Sequence, residues 1–372
     1  MKIIQVKPDD RNRVKQFIRL PFKIYQDFPN WVPPLSIDER QPFNPKNPFY
    51  QHSKAAFYLA VDEQDHAIGR ITILANHNYN QFNQERTAFF WLFECQDDVQ
   101  ISNGLFDAAF DWAGDQGLNR IIGPKGFTPL DGSGLLVKGF EHRPAFGLPY
   151  NPPYYPTLIE SAGFIPKGDT VSGYLKTKTE LPEKIYRVAE RVKKRRGLRV
   201  VTYKLRRDLR ALVPILGDLY NNSLANTEGT VPLTSQEAKT MANQIIWFAD
   251  PKLIKIIMRG EEPVGFLFAY PDVSAAIQRI KGRVLPFGWI QVLRELKNTE
   301  WVNVNGTGIV EKYRGLGGTA LLFSEMAKSI RQGNFMHADL VQIGVENSNM
   351  QRELRGLGVD FYKTHRLYER SL

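Results

Sequence analysis

One order of elements occurs twice along this chain, and no other feature of the sequence limits the fold as tightly. Residues 3–6 alternate like a strand and pass through Pro8-Asp9-Asp10 into a helix over 11–25, with Val14, Phe17, Ile18 and Pro21 as its apolar stripe. A hairpin (57–61 and 67–74), a strand (87–94), a helix (99–116, stopped by Gly117), a strand (119–123), a helix (154–162) and a strand (170–175) follow. The second half reads as a strand over 199–205, a helix over 208–221, a hairpin (252–258 and 263–270), a strand over 301–310, a helix over 318–332, a strand over 338–345, a helix over 348–357 and a strand over 364–370. Only an insertion over 272–298 interrupts it. The repetition is in element order, not residue identity. It predicts an α/β (α+β) chain of two tandem domains, 1–180 and 199–372, joined by a basic helix over 181–198, and 372 residues suit two domains. In the first half Pro29, Pro33, Pro34, Pro42, Pro45 and Pro48 crowd residues 28–49, which predicts an extended surface loop that wraps or covers something.

Charge is local. The chain carries +10, yet residues 181–210 hold twelve bases and three acids, a net of +9, so the other 342 residues carry +1. Within that block Ile185, Val188 and Val192 predict a helix with one face on the body and its bases outward. A solvated face explains such a run. An RNA contact is the alternative, supported only by Tyr186 and Tyr203 among the bases. The single cysteine, Cys95, permits no intramolecular disulfide, and its acidic neighbours raise its pKa and make it a poor nucleophile. Six histidines show no ligand pairing, so no metal is expected. The start lacks a signal-peptide apolar core and no run approaches a membrane span of ~18 apolar residues. These readings predict a cytoplasmic protein without a membrane partner.

The chemistry-bearing stretch is 308–323, Gly-Ile-Val-Glu-Lys-Tyr-Arg-Gly-Leu-Gly-Gly-Thr-Ala-Leu-Leu-Phe. A strand ends in a three-glycine turn that opens a helix, so several backbone amides converge where a phosphate or pyrophosphate can sit, and Arg314 can add a charged contact. A plain strand-to-helix turn is the bland reading. Neither P-loop nor dinucleotide spacing is present.

This stretch resembles motif A of the GNAT N-acetyltransferase superfamily, R/Q-x-x-G-x-G/A, which binds the pyrophosphate of acetyl-CoA. Arg314, Gly317 and Thr319 fit in one register, with Thr319 in place of the small sixth residue; in the other, Gly318 fits and Tyr313 takes the Arg position. Residues 345–359 are similar to motif B, with Asn347 before the helix, but Leu354 stands where many members carry an acidic Tyr. Residues 150–164 look like a second motif B with Ile159 at that place, whereas the first half has no motif A: its strand runs into Cys95-Gln96-Asp97-Asp98, carboxylates that would repel a pyrophosphate.

The resemblance implies a degenerate first domain and a cofactor-binding second one. It implies acetyl-CoA or another acyl-CoA as donor, and Ile309, Val310, Tyr313, Arg314, Gly315, Leu316, Gly317, Gly318, Thr319, Ala320 and Asn347 as its contacts, the backbone of Ile309 and Val310 pairing with the pantetheine arm. The implied activity is N-acyl transfer to a small-molecule or peptide amine in a cleft between the domains, with Glu311 and Tyr368 as candidate base and acid. A GNAT-like binding protein without catalysis is the alternative.

Overall fold

The computed structural model describes residues 1–224 and 229–372. It divides into two compact units, Met1–Thr170 with Ser274–Val292 and Lys363–Leu372, and Val171–Val273 with Leu293–Tyr362. The second unit therefore begins before the basic helix and includes it, and the last ten residues fall to the first.

In the first unit β1 (Lys2–Gln5) leads to α1 (Arg11–Ile24), whose first turn is closed by the Asp10 carboxylate accepting from the Asn12 and Arg13 amides at 3.1 and 3.0 Å. The antiparallel pair β2 (Ser53–Val61) and β3 (Ala67–Asn76) follows, then the short α2 (His77–Asn83), β4 (Thr87–Cys95), α3 (Val99–Asp115), β5 (Arg120–Gly123), β6 (Leu135–Lys138), α4 (Tyr155–Ser161) and the start of β7 (Ile165–Lys176). Its strands lie in the order β1-β2-β3-β4-β5, with the chain's last strand antiparallel to β5 and β6. Apolar positions of β3, β4 and α3, among them Ile71, Phe90, Leu105 and Phe106, form its core with Leu158 and Ile159 of α4. The proline-rich stretch forms only two single-turn 3-10 helices, Gln41–Phe43 and Pro48–Gln51, but it is not all surface: Pro33, Leu35, Pro42, Phe43 and Phe49 are buried.

The second unit runs α5 (Glu183–Arg196), β8 (Leu198–Thr202), α6 (Arg206–Leu209), α7 (Val213–Leu224), α8 (Ser235–Phe248), β9 (Ile254–Arg259) and β10 (Glu262–Pro271). After the insertion, which folds as α9 (Ser274–Arg279) and α10 (Gly288–Asn298), come β11 (Trp301–Ile309), α11 (Gly318–Gln332), β12 (His337–Gly344), α12 (Ser348–Gly356) and β13 (Asp360–Ser371). Strands are ordered β12-β11-β10-β9-β8, all antiparallel except β11 and β12. One face of this sheet packs Val302, Ala338 and Leu340 against Leu321 and Leu322 of α11 and Val192 of α5. Helices α7 and α8 supply a second cluster, Leu216, Leu219 and Ala242, which with Leu212 of the preceding 3-10 turn packs around Ile254, Ile256 and Phe266.

Candidate functional site

The glycine turn of the second unit is an open helix start. Gly315 and Gly317 have φ of 71° and 86°, left-handed backbone that glycine adopts without a steric penalty. Gly317 occupies the N-cap of α11 and no side chain caps that helix, so the first-turn amides keep their donors facing outward. Glycine is demanded at 317 for a second reason: a Cβ there would lie 2.7 Å from Val192 Cγ2 and 3.0 Å from Val188 Cγ1. The basic helix α5 thus backs the turn, and Lys193 Nζ ties it to Glu325 of α11 at 2.8 Å.

The strand before the turn is equally open. The parallel ladder of β11 with β12 runs from Trp301↔His337 to Val304↔Leu340 and ends there, although β11 continues to Ile309 and β12 to Gly344. Residues 307–309 pair with β10 beyond a register irregularity, and among the described residues no strand pairs with the other edge of 305–309.

The predicted contacts gather around this turn. Val310 N–H donates to Val264 O at 2.9 Å, and the Arg314 guanidinium donates to Ile309 O at 3.1 Å and Ser223 O at 2.9 Å, fixing the turn to the end of α7. Gly315 is exposed, Leu316, Thr319 and Ala320 are half-buried, and Gly318 is buried against Ile309 and Ile257. Tyr313 is buried and donates to Glu262 Oε2 at 2.6 Å, so its hydroxyl serves the sheet. Asn347 caps α12, its side-chain oxygen accepting from Met350 N at 3.1 Å. Glu311 is exposed in the 3-10 turn Glu311–Tyr313. Tyr368 lies in the first unit, buried, donating to Glu160 at 3.1 Å, with its hydroxyl pushed up to about 12 by burial and the Glu160 charge.

The first unit closes every one of these openings. Its β4–β5 ladder also stops early, after Phe89↔Ile122, but Cys95 N–H donates to the Tyr155 hydroxyl at 2.9 Å and Cys95 O accepts from the Tyr154 hydroxyl at 2.9 Å. Helix α3 starts on Asp98, whose carboxylate accepts from Gln100 N at 2.7 Å and Ile101 N at 3.4 Å, filling the place an anion would take. Burial first, then Asp98, Glu94 and Asp97, pushes the Cys95 thiol up to about 12, which leaves it unreactive.

A second constellation in the second unit escaped the sequence. Asp272, Asn303 and Asp339 are buried beside two half-buried tyrosines, Tyr270 and Tyr362. Asn303 Nδ2 donates to Asp272 Oδ1 at 3.0 Å, Tyr362 donates to Asp339 Oδ2 at 2.8 Å, and Asn305 Nδ2 donates to the Tyr270 hydroxyl at 3.3 Å. Burial and the two carboxylates hold both tyrosine hydroxyls well above their usual range. Asn303 sits opposite Asp339 on the ladder, one rung before it ends. Because strand side chains alternate, Val302, Ala338 and Leu340 face α11 while Asn303 and Asp339 face the other way. The acidic cluster therefore lies on the sheet face opposite α11, beside the opening of the ladder. His337, two residues before Asp339, is stacked on Trp301 at 4.7 Å and contacts the Tyr174 hydroxyl at 2.8 Å. Asn303, Asn305 and Asp339, polar residues alternating with apolar ones in buried strands, were the available signal.

The fold that carries these two helix starts has counterparts among solved structures. A tandem GNAT protein from the clavulanic acid biosynthesis pathway superposes with a TM-score of 0.57 at 11% identity, covering 100% of this chain and 98% of that one. The chain has the tandem GNAT fold. Two curated proteins are similar over nearly the whole of this GNAT-fold chain: protein YghO of Escherichia coli, 27% identical over 370 residues (98% of this chain, 94% of the relative), and a bacterial ceramide synthase of Caulobacter vibrioides, 27% identical over 370 residues (96% and 95%). No family model matches. Among the described residues no group of three or more His, Cys, Asp or Glu could hold a metal ion.

Proposed function

We propose that the chain is an N-acyltransferase that takes an acyl group from an acyl-CoA bound at the turn over 310–317 and forms an amide on the amino group of a long-chain amino alcohol. The observation that carries the reading is the uncapped start of α11 at Gly317, next to a strand edge over 305–309 that lacks a second partner. The amides of that start and Arg314 suit a pyrophosphate, and the strand edge suits the amide-bearing arm that follows it. Asp339, on the other face of the same sheet, and Asp272, just past the end of β10, suit a cationic amine. Position alone brings nucleophile and thioester together, which is a large part of such catalysis.

In the reaction the amine nitrogen attacks the thioester carbonyl carbon, a C–N bond forms and the C–S bond breaks. The ammonium proton passes to Asp339, backbone N–H groups at the strand edge stabilise the oxyanion, and the departing thiolate takes its proton from solvent. Leu354 supplies none, being buried in the core. The choice of acceptor is supported by the likeness to the bacterial ceramide synthase, whose name denotes amide formation on a long-chain amino alcohol.

The test is thermal unfolding with acetyl-CoA and with palmitoyl-CoA, followed by mass spectrometry of reactions containing sphinganine or a short amine. An acyl-CoA-dependent rise in Tm that Gly317→Glu abolishes, and an N-acylated sphinganine, are expected. No shift with any acyl-CoA overturns the donor, and acylation of the short amine alone overturns the acceptor.

A further inference from the structure

The segment between α9 and α10 carries an outward-facing row that the acyl-transfer reading does not use. Between 281 and 289 the chain exposes Lys281, Arg283, Leu285, Pro286, Phe287 and Trp289. Leu285 is 70% exposed, Phe287 73% and Trp289 44%, values far outside those of a side chain packed for stability. The intervening Gly282 and Val284 are buried, so the row is a presented edge and not a stretch without contacts. It is also held firmly. Ser36 N–H donates to Gly282 O at 3.0 Å, Gln278 Nε2 donates to Pro29 O and Trp31 O at 3.0 and 2.9 Å, and Trp289 N–H donates to Val284 O at 2.8 Å. A Cβ on Gly282 would meet Pro34 O at 2.2 Å, which makes this close approach to the proline-rich stretch possible only for glycine.

The charge of the segment has one sign. Between Ser274 and Val292 there are three bases, Arg279, Lys281 and Arg283, and no acid. Two bases followed by an aliphatic, a phenyl and an indole group is the order that suits the boundary of an anionic bilayer, bases at the phosphates and rings among the upper acyl carbons. We propose that the 281–289 edge docks the protein on an anionic phospholipid surface. No helix of the described residues is long and apolar enough to cross a membrane, and this edge would lie on one. The inference rests on exposure and charge, not on acyl transfer.

The test is co-sedimentation of the full chain, without acyl-CoA, with phosphatidylcholine vesicles and with vesicles of phosphatidylcholine and phosphatidylglycerol at about 7:3. Binding to the anionic vesicles only is expected. The variant Leu285→Ser/Phe287→Ser/Trp289→Ser should lower the bound fraction at least tenfold, Lys281→Gln/Arg283→Gln several-fold, and neutralising Lys193 to Arg196 on α5 should leave most of it. Phe287→Asp alone serves if the triple variant does not fold. Unchanged binding of the 285, 287 and 289 variants, or loss only in the α5 variant, overturns the proposal. So does a dimer in sedimentation velocity that these substitutions dissolve without any vesicle binding.

Discussion

Tyr362 donates a 2.8 Å hydrogen bond to Asp339, a carboxylate buried in the middle of β12. The bond fixes one carboxylate oxygen and leaves the direction of the other set by the sheet. Asp339→Asn should lower kcat for amide formation by about a hundredfold or more, the scale of a lost general base, while the acyl-CoA-dependent rise in Tm persists. Tyr362→Phe, which removes the bond and keeps the ring, should cost roughly 1.5–3 kcal/mol of stability, read by urea unfolding. An Asp339→Asn variant of full activity would remove the base from the scheme.

The two helix starts should respond in opposite ways. At Asp98, substitution by Ala removes the only side-chain acceptor for two α3 amides and should cost about 1 kcal/mol with the acyl-CoA shift unchanged. At Gly317, Ala combines a left-handed φ of 86° with a Cβ 2.7 Å from Val192, so it should lower both stability and acyl-CoA binding. Differential scanning fluorimetry with and without acetyl-CoA separates the two.

Arg314 ties the turn to α7 through two carbonyl oxygens. Replacing it with Ala should raise KM for the acyl-CoA about tenfold, and Lys, a point charge without the planar fork, should recover little of that. Steady-state kinetics at saturating amine shows whether KM and not kcat carries the change.

His365 is buried in the first unit, its Nε2–H donating to Pro149 O at 3.1 Å, and burial holds its pKa down to about 4 against an ordinary 6.5. The unfolded chain therefore binds a proton that the folded one refuses between those values, so stability falls as pH drops from 6.5 towards 4 and is fully present above 6.5. The loss should reach roughly 3 kcal/mol at its end. His365→Gln should flatten the Tm-against-pH curve over this interval.

Local pattern carried much of the fold. The helix expected over 318–332 is α11 residue for residue, because a glycine turn starts it and Gly333 ends it, and the two hairpins follow from alternation. Less visible were α2 and α8: α8 begins with a capping box of Thr234 and Glu237 but has a weak apolar face. The proline-rich stretch was read as surface because proline cannot join a ladder, yet proline has no aversion to burial, and Phe43 stacks on Phe57. The α5 bases do face outward, while Val188 and Val192 meet Gly317, a contact that spacing within the helix cannot foretell. The glycine turn itself was legible, since three glycines between a strand and a helix leave the backbone few other conformations. The acidic cluster was not, since Asp272 follows the end of β10 and Asp339 lies in β12, and they are linked through Asn303 of β11, which donates to the one and pairs with the other in the sheet. Likewise a search for long apolar runs passes over an edge whose large apolar residues, Leu285, Phe287 and Trp289, are only three and are spaced by Pro286 and Gly288.

The last strand has an evolutionary meaning. Asp360–Ser371 starts in the unit with the open helix and finishes in the other, where residues 368–371 pair with β5 and 364–366 with β6. A deletion of the first 170 residues would strand the carboxyl terminus without its partners, and a stop codon after the first unit would leave β5 and β6 with a bare edge prone to aggregation. The first unit, whose helix start is closed by Asp98, can thus not be shed by truncation from either end.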